Sequence, residues 1–141
     1  MPLTQDADIA ALLTNTRSIA LVGASDRPDR ASHKVMQFLL GQGYRVTPVN
    51  PALAGQEVLG QQVVATLAEA GPVDLVDIFR NSDAAGPIVD EAIAVGAKAV
   101  WMQLGVINPE AAARAEAAGL KVVMDHCPKI EIPRLGIAKV G

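Results

Sequence analysis

The chain has 141 residues, of which 50% are hydrophobic and 3% aromatic, and its formal net charge is −3. This length fits a single domain over residues 1–141, and the composition excludes a disordered chain. Because no long basic stripe offsets the acidic balance, we expect no nucleic-acid binding. No apolar run reaches the roughly 18 residues of a membrane span, and no basic and apolar leader opens the chain. The single cysteine, Cys127, cannot form an internal disulfide, so the expected location is the cytoplasm.

The first half of the chain alternates apolar runs with amphipathic segments. In chain order, these patterns predict a helix over 6–15, a strand over 18–22, a helix from the N-cap Ser32 to about residue 40, and a strand over 44–49. Two glycines make the segment 52–65 a short hairpin or an irregular crossover, and Thr66 is predicted to cap a brief turn before Gly71.

The second half continues this alternation. It predicts a strand over 73–79, a helix between 82 and 95, a strand over 99–102, a helix that begins at Asn108-Pro109-Glu110 and closes at Gly119, a strand over 121–124, and a surface tail over 126–141. Pro87 leaves the start of the helix between 82 and 95 open, because proline is tolerated only near the first turn. Five strands alternating with helices predict an α/β fold, a Rossmann-like three-layer αβα sandwich with a five-stranded, mainly parallel sheet and its core at about 18–125.

Ligands of open parallel sheets bind beyond the carboxyl ends of the strands, near the point where the strand order reverses. The groups that follow the predicted strands are Gly23-Ala24-Ser25, Asn50-Pro51, Phe79-Arg80-Asn81, Gln103-Leu104-Gly105 and Asp125-His126-Cys127. Most of these groups are polar or rich in glycine where each apolar run stops. The sequence therefore predicts a binding site at this edge of the sheet.

The loop after the first strand has the features of a phosphate site. Gly23-Ala24-Ser25 ends an apolar run, and glycine lets the backbone pass close to a phosphate, while the following helix offers unpaired N–H groups at its start. Arg27, Arg30 and Lys34 are candidate cations. NAD-binding sheets usually carry an acidic residue after the second strand, where this chain has Asn50-Pro51. The pattern therefore favours an adenine nucleotide other than NAD.

Further candidate contacts follow the later strands. Ser32 lies beside loop N–H groups that could hold phosphate, and Phe79-Arg80-Asn81 offers a ring edge, a fork of donors and an amide. Arg80 could instead pair with a nearby aspartate, Asp77 or Asp83. Gln103 is a better candidate contact than Trp101, since a lone tryptophan is usually part of the core.

With these residues in place, the chain resembles the stand-alone CoA-binding proteins, whose domain is similar to the N-terminal CoA-binding domain of the succinyl-CoA synthetase α subunit and of nucleoside-diphosphate-forming acyl-CoA synthetases. The matching motifs are Val22-Gly23-Ala24-Ser25, Val49-Asn50-Pro51, Asp77-Ile78-Phe79-Arg80-Asn81, Trp101-Met102-Gln103-Leu104-Gly105 and Val123-Met124-Asp125-His126-Cys127-Pro128. They run in order from about residue 19 to residue 135. Many relatives resemble Asp-Arg-Cys-Pro where this chain has His126, so it lacks the guanidinium of that loop.

The resemblance implies that the chain binds CoA or an acyl-CoA without chemistry of its own. The pyrophosphate would lie on the loop from Gly23 to Ser32, adenosine beside Asn50-Pro51 between the ends of the second and third strands, and the pantetheine arm toward Gln103 and Gly105. The larger synthetases use a phosphorylatable histidine in another domain and an ATP-grasp module, and neither is expected in 141 residues.

Two alternative functions stay open. The first is an NADP-binding module or minimal oxidoreductase, in which Arg27, Arg30 or Arg45 would hold the 2′-phosphate; the second is a CoA-binding subunit or regulator of a separate synthetase chain. The sequence leaves open whether the chain forms a homodimer or binds a partner protein. Cys127 is expected to be a buried small apolar residue, and the spacing of the histidines and the cysteine predicts no metal site.

Overall fold

Five parallel strands form the central sheet of the computed structural model, which describes residues 1–140. The elements in chain order are α1 Asp6–Asn15, β1 Ser18–Val22, α2 Ala31–Gly41, β2 Arg45–Val49, a 3₁₀ turn Pro51–Leu53, β3 Glu57–Val58, β4 Gln61–Gln62, α3 Leu67–Ala70, β5 Leu75–Ile78, α4 Ser82–Ala94, β6 Ala99–Met102, α5 Pro109–Ala117, β7 Lys121–Val123 and α6 Pro128–Arg134. No helix in this part of the chain is long and apolar enough to cross a membrane.

The strand order of the sheet is β2-β1-β5-β6-β7, and every neighbouring pair is parallel. The chain runs from β1 outward to β2 and then returns to β5 on the other side of β1. The order therefore reverses between β1 and β5, which is where open α/β sheets bind ligands. The predicted Rossmann-like sandwich is confirmed.

The core has two parts because apolar side chains cover both faces of the sheet, as expected for parallel strands. Side chains of α1, α2 and α6 pack on one face, around Leu21 and Trp101. Side chains of α3, α4 and α5 pack on the other face, around Val76 and Val100. Trp101 is fully buried, as expected for the only tryptophan.

Three local features differ from the sequence prediction or were left open by it. The segment after β2 is a small antiparallel hairpin of β3 and β4, and Thr66 caps α3 as predicted by accepting a hydrogen bond from Glu69 N at 3.3 Å. Pro87 lies inside α4, which begins at Ser82 with Asn81 as its cap. Within the predicted surface tail, the sequence missed α6, which Pro128 begins and Pro133 does not interrupt. The last residue of that tail, Gly141, lies outside the described residues.

Candidate functional site

A cavity of about 490 Å³ opens at the carboxyl ends of β1, β2 and β5. It is bounded by the β1–α2 loop, the first turn of α2, and the residues that follow β2 and β5. The residues that line it are Gly23, Ala24, Ser25, Asp26, Arg27, Arg30, Ala31, Ser32, Asn50, Ala52, Leu53, Phe79 and Arg80. The structure thus brings together most of the candidate residues from the first three predicted groups.

Gly23 shapes the wall of this cavity. Its φ of +91° lies in the left-handed region, and a side chain there would overlap with the carbonyl oxygen of Phe79. The Gly23 and Ala24 amides lie 3.0 Å and 3.4 Å from the carbonyl oxygen of Val49. The start of the loop after β1 is therefore held closely between the ends of β2 and β5, and only glycine fits at its first position.

The first turn of α2 faces the cavity with backbone N–H groups. Its N-cap, Arg30, makes no side-chain capping bond, so no side chain occupies these amides. Ala31 and Ser32, the first two residues of the helix, line the cavity. Free N–H groups and the positive end of the helix dipole favour an anion at this position.

The prediction that Ser32 caps α2 was wrong. The Arg30 amide donates to Arg27 O at 3.0 Å, and the Lys34 amide donates to Arg30 O at 3.1 Å, so this turn leads directly into the helix at Ala31. Ser32 is the second helical residue and is buried.

Cationic side chains surround the cavity unevenly. Arg27, Arg30 and Arg80 line it, whereas Lys34 lies one turn further along α2 and does not. Arg27 makes a loose ion pair with Asp29 at 3.8 Å, in which both side chains are exposed. Neither Arg30 nor Arg80 forms a salt bridge to any residue between 1 and 140, so both guanidinium groups can meet an anion. Arg45 begins β2 and therefore lies at the amino-terminal ends of the strands, opposite the cavity.

Asn50 links the end of β2 to the glycine loop. Its Nδ2 donates to Ala24 O at 2.8 Å, and its Oδ1 accepts from Ala52 N at 2.9 Å. Pro51 lies on a second cavity of about 200 Å³, which shares Gly23, Asn50 and Arg80 with the first and is otherwise lined by Val22, Val49, Ala65, Thr66, Leu67, Ile88 and Glu91. The two cavities therefore meet at the end of β1.

The remaining candidate residues have structural partners of their own. Asn81 caps α4 by accepting a hydrogen bond from Ala84 N at 2.8 Å, and it does not line the large cavity. Gly105 has a φ of +80°, and its amide donates to Asp125 Oδ1 at 2.7 Å. Gln103 is buried at the end of β6, with its side chain turned into the protein.

The partner of Gln103 is Asp77, and Arg80, for which Asp77 was a possible partner, forms no salt bridge with it within residues 1–140. The amide nitrogen of Gln103, oriented to satisfy the hydrogen bonding around it, donates to Asp77 Oδ1 at 2.8 Å and Oδ2 at 3.3 Å. Asp77 is fully buried, and this burial raises the pKa of its carboxyl well above the ordinary value. An acidic residue inside an apolar strand was the sequence signal for this pair.

Both ring nitrogens of His126 lie near oxygen atoms of other residues. The Nδ1 atom of His126 lies 2.7 Å from Met124 O, and its Nε2 atom lies 4.0 Å from Glu131 Oε1. Cys127 is buried at the start of α6. Within residues 1–140, no group of three or more histidine, cysteine or acidic side chains could hold a metal ion.

A family model described as a CoA binding domain matches residues 17–133 of the chain. The uncharacterized protein YneT of Bacillus subtilis is 39% identical over 125 residues, which cover 88% of this chain and 91% of that protein. The solved structure of a hypothetical protein from Pyrococcus horikoshii has a TM-score of 0.89 and 39% identity, covering 96% of each chain. A dinucleotide-forming acetyl-coenzyme A synthetase of Ca. Korarchaeum cryptofilum shares the fold at a TM-score of 0.69 and 24% identity, over 80% of this chain and 27% of the synthetase.

Proposed function

Because this chain belongs to the family of CoA-binding domains, we propose that it binds CoA or an acyl-CoA at the carboxyl ends of β1, β2 and β5. The observation that carries the proposal is the cavity of about 490 Å³ in which the Gly23 turn, the uncapped start of α2 and the guanidinium groups meet. CoA carries a pyrophosphate and a 3′-phosphate, so its nucleotide end needs several donors and cations close together.

The phosphates are assigned to the β1–α2 loop. Gly23 lets the backbone approach the pyrophosphate, and the N–H groups at the start of α2 point toward it. Arg27, Arg30 and Arg80 line the same cavity and supply positive charge. Lys34 is exposed one turn further along α2 and is proposed to act through the local field rather than by contact.

Adenosine is assigned to the cavity of about 200 Å³ beside Pro51. Val49 and Ile88 give this cavity apolar walls that suit the face of a base, and the fixed ring of Pro51 provides a rigid edge. Asn50 supports this site indirectly, since both ends of its amide are used to hold the loop of Ala24 and the turn after β2.

The pantetheine arm is assigned to the carboxyl ends of β5 and β6. Neighbouring strands lie about 4.8 Å apart, so the end of β6 is about 10 Å from the end of β1. An arm that leaves the pyrophosphate would pass Phe79, which is half-buried, and reach the turn that contains Gly105. Asn81 lies at the start of α4 on the same edge of the sheet.

We assign no reaction to this site. The cavity lining supplies hydrogen-bond donors, cations and apolar walls but no thiol or imidazole, and Cys127 is buried away from it. A nucleophile with an adjacent base is the usual requirement for acyl transfer, so the proposed role is binding alone.

The test is calorimetric titration of the purified protein with CoA, 3′-dephospho-CoA, NAD and NADPH. We expect CoA to bind most tightly and removal of its 3′-phosphate to weaken binding. A preference for NADPH would instead support the dinucleotide alternative and overturn the proposal.

The arginine assignment has its own test. Arg27→Ala combined with Arg30→Ala should weaken CoA binding about tenfold at low salt and less at high salt, because charge-assisted hydrogen bonds to phosphate are screened by ions. Arg45→Ala is the matched control, since it removes the same charge at the opposite edge of the sheet. Unchanged affinity at every salt concentration would remove Arg27 and Arg30 from the site.

A further inference from the structure

Asp77 is the one polar residue of β5, whose other three residues are apolar. It lies in β5 with 0% of its surface exposed, and its neighbours in register are Leu21 on β1 and Trp101 on β6. All of these side chains lie on the face covered by α1, α2 and α6. Burying a carboxyl group there is costly, whereas valine or isoleucine would serve a purely structural strand. A residue that breaks a local rule in this way calls for a compensating role.

The polar contact that compensates this burial comes from Gln103. Two residues after Trp101 on the same strand path, Gln103 shares the face of the sheet on which Asp77 lies. Its side chain is only 6% exposed although it stands at the edge where the chain leaves the sheet, and its amide nitrogen lies 2.8 Å from Asp77 Oδ1. The bond therefore draws a polar side chain inward from the edge that we assign to the pantetheine arm.

The backbone beyond Gln103 is a turn that several hydrogen bonds hold in place. Gln103 O accepts from Val106 N at 2.8 Å, and the Gly105 amide donates to Asp125 Oδ1 at 2.7 Å. Ser82 Oγ donates to Gly105 O at 3.3 Å and accepts from Ile107 N at 2.9 Å, while Leu104 is exposed. Asp125 and Ser82 thus hold the far side of the turn, and the Gln103 side chain is the anchor on the side of the sheet.

We infer that Asp77 is a positioning residue that holds the Gln103 side chain in the sheet and thereby fixes the sheet end of the turn of Gln103, Leu104 and Gly105, against which the pantetheine arm of bound CoA lies. This inference rests on the proposed function, and it adds a residue that never touches the ligand. Asp77 acts only on the arm, because the phosphate loop and the adenosine cavity are held by separate bonds of Gly23 and Asn50.

The test compares two ligands, CoA and adenosine 3′,5′-bisphosphate, which lacks the pantetheine arm. Asp77→Leu keeps a side chain of similar size but cannot bond to Gln103. It should weaken CoA binding about tenfold and change the affinity for the bisphosphate by less than about twofold. Asp77→Asn can still exchange a hydrogen bond with the Gln103 amide, so it should bind both ligands as the wild type does.

Two further variants separate positioning from general damage. Val76→Ala removes buried volume next to Asp77 on the opposite face, and it should lower stability without changing the ratio of the two affinities. If Asp77→Leu does not fold, Gln103→Leu at the end of the strand breaks the same bond and should show the same selective loss of CoA affinity.

The two affinities test the positioning role of Asp77 and the proposed CoA site separately. Equal losses for both ligands in Asp77→Leu, or no loss for either, would overturn the positioning role. If the wild type binds both ligands equally tightly, the pantetheine arm contributes nothing to the binding free energy. The inference then fails, whereas the proposed nucleotide site is still supported. If the wild type binds neither ligand, the proposed function fails, and this inference fails with it.

Discussion

Gly23→Ala probes the point at which the fold and the proposed site depend on the same atom. Gly23 follows β1 with a φ of +91°, and its backbone lies against the end of β5. A Cβ atom here would overlap with the carbonyl oxygen of Phe79, and it would lie 3.0 Å from the Phe79 carbonyl carbon and 3.2 Å from Arg80 Cδ. Since a backbone carbonyl of the sheet cannot move aside cheaply, the β1–α2 loop must move instead.

The expected loss of stability has two contributions. A left-handed backbone costs an L-residue roughly 1–2 kcal/mol, and forcing extra volume into a packed site typically costs about 1–3 kcal/mol more. We therefore expect the free energy of unfolding to fall by about 2–5 kcal/mol. Because the displaced loop is the one assigned to the pyrophosphate, CoA affinity should also fall by more than about tenfold under conditions where the variant is folded.

Urea denaturation and calorimetry measure the two effects separately, with two glycine controls. Gly55→Ala has a similar φ of +86° but no neighbouring atom within 4 Å, so it should lose only roughly 1–2 kcal/mol and keep its affinity. Gly43→Ala would collide with the backbone of Val140 far from the cavity, so it should lose stability without losing affinity. Equal losses of stability in Gly23→Ala and Gly55→Ala, with unchanged CoA affinity in both, would refute the reasoning.

Two further predictions concern stability alone. On α6, Ile132 is 2% exposed and Ile130 is 52% exposed. In thermal or urea unfolding, Ile132→Ala should therefore lower the free energy of unfolding by about 2–4 kcal/mol, and Ile130→Ala by under about 0.5 kcal/mol. Similar losses for the two variants would mean that α6 does not contribute to the core. Burial raises the pKa of Asp77, so above pH ~4 the unfolded chain releases a proton that the folded state keeps. The stability of the wild type should therefore fall by about 1.4 kcal/mol per pH unit between pH ~4 and the pKa of Asp77 in the folded state. Asp77→Asn lacks this loss, so its stability relative to the wild type should rise between pH 4 and pH 7.5 in urea titrations; a difference that is constant with pH would contradict the burial argument.

The sheet could be predicted because its strands are short apolar runs bounded by glycine or polar residues. The bounds of β1, Ser18–Val22, and of β6, Ala99–Met102, agree with the prediction, as do those of α1, Asp6–Asn15. Burial on both faces makes each parallel strand a continuous apolar run, which is easy to recognise in a sequence. The family resemblance drawn from motifs at the strand ends is confirmed by the family model over residues 17–133.

The parts that could not be predicted are those in which tertiary packing overrides local signals. Pro133 discourages a helix, yet α6 forms over Pro128–Arg134 because Ile132 packs into the core beside α2. Pro87 likewise lies inside α4, whose buried face includes Val89. Ser32 has the right chemistry for an N-cap, but the turn that precedes it already has helical hydrogen bonds.

For the candidate site, the sequence predicted an edge of the sheet but not the direction of each side chain. The alternation of strand residues stops at the strand end, so nothing in the sequence indicates whether Gln103 points to solvent or to the interior. The same limit applies to Asn50 and Asn81, whose amides hold neighbouring backbone groups. Asp77 could have been recognised as a buried polar group, since it stands between apolar residues within a strand, but its partner Gln103 follows a different strand, β6.

The distribution of charge along the carboxyl edge supports one orientation for the proposed ligand. Three arginines, Arg27, Arg30 and Arg80, and one carboxylate, Asp26, line the cavity at the end near β1, beside the positive end of α2. At the other end of the edge, the exposed Asp125 follows β7, whereas Glu131 is buried and paired with Arg134 at 2.6 Å. An anionic nucleotide placed at that second end would face the Asp125 carboxylate, whereas the uncharged pantetheine arm would not be repelled there. CoA should therefore bind with its phosphates at β1 and its thiol toward β6, and not in the reverse direction.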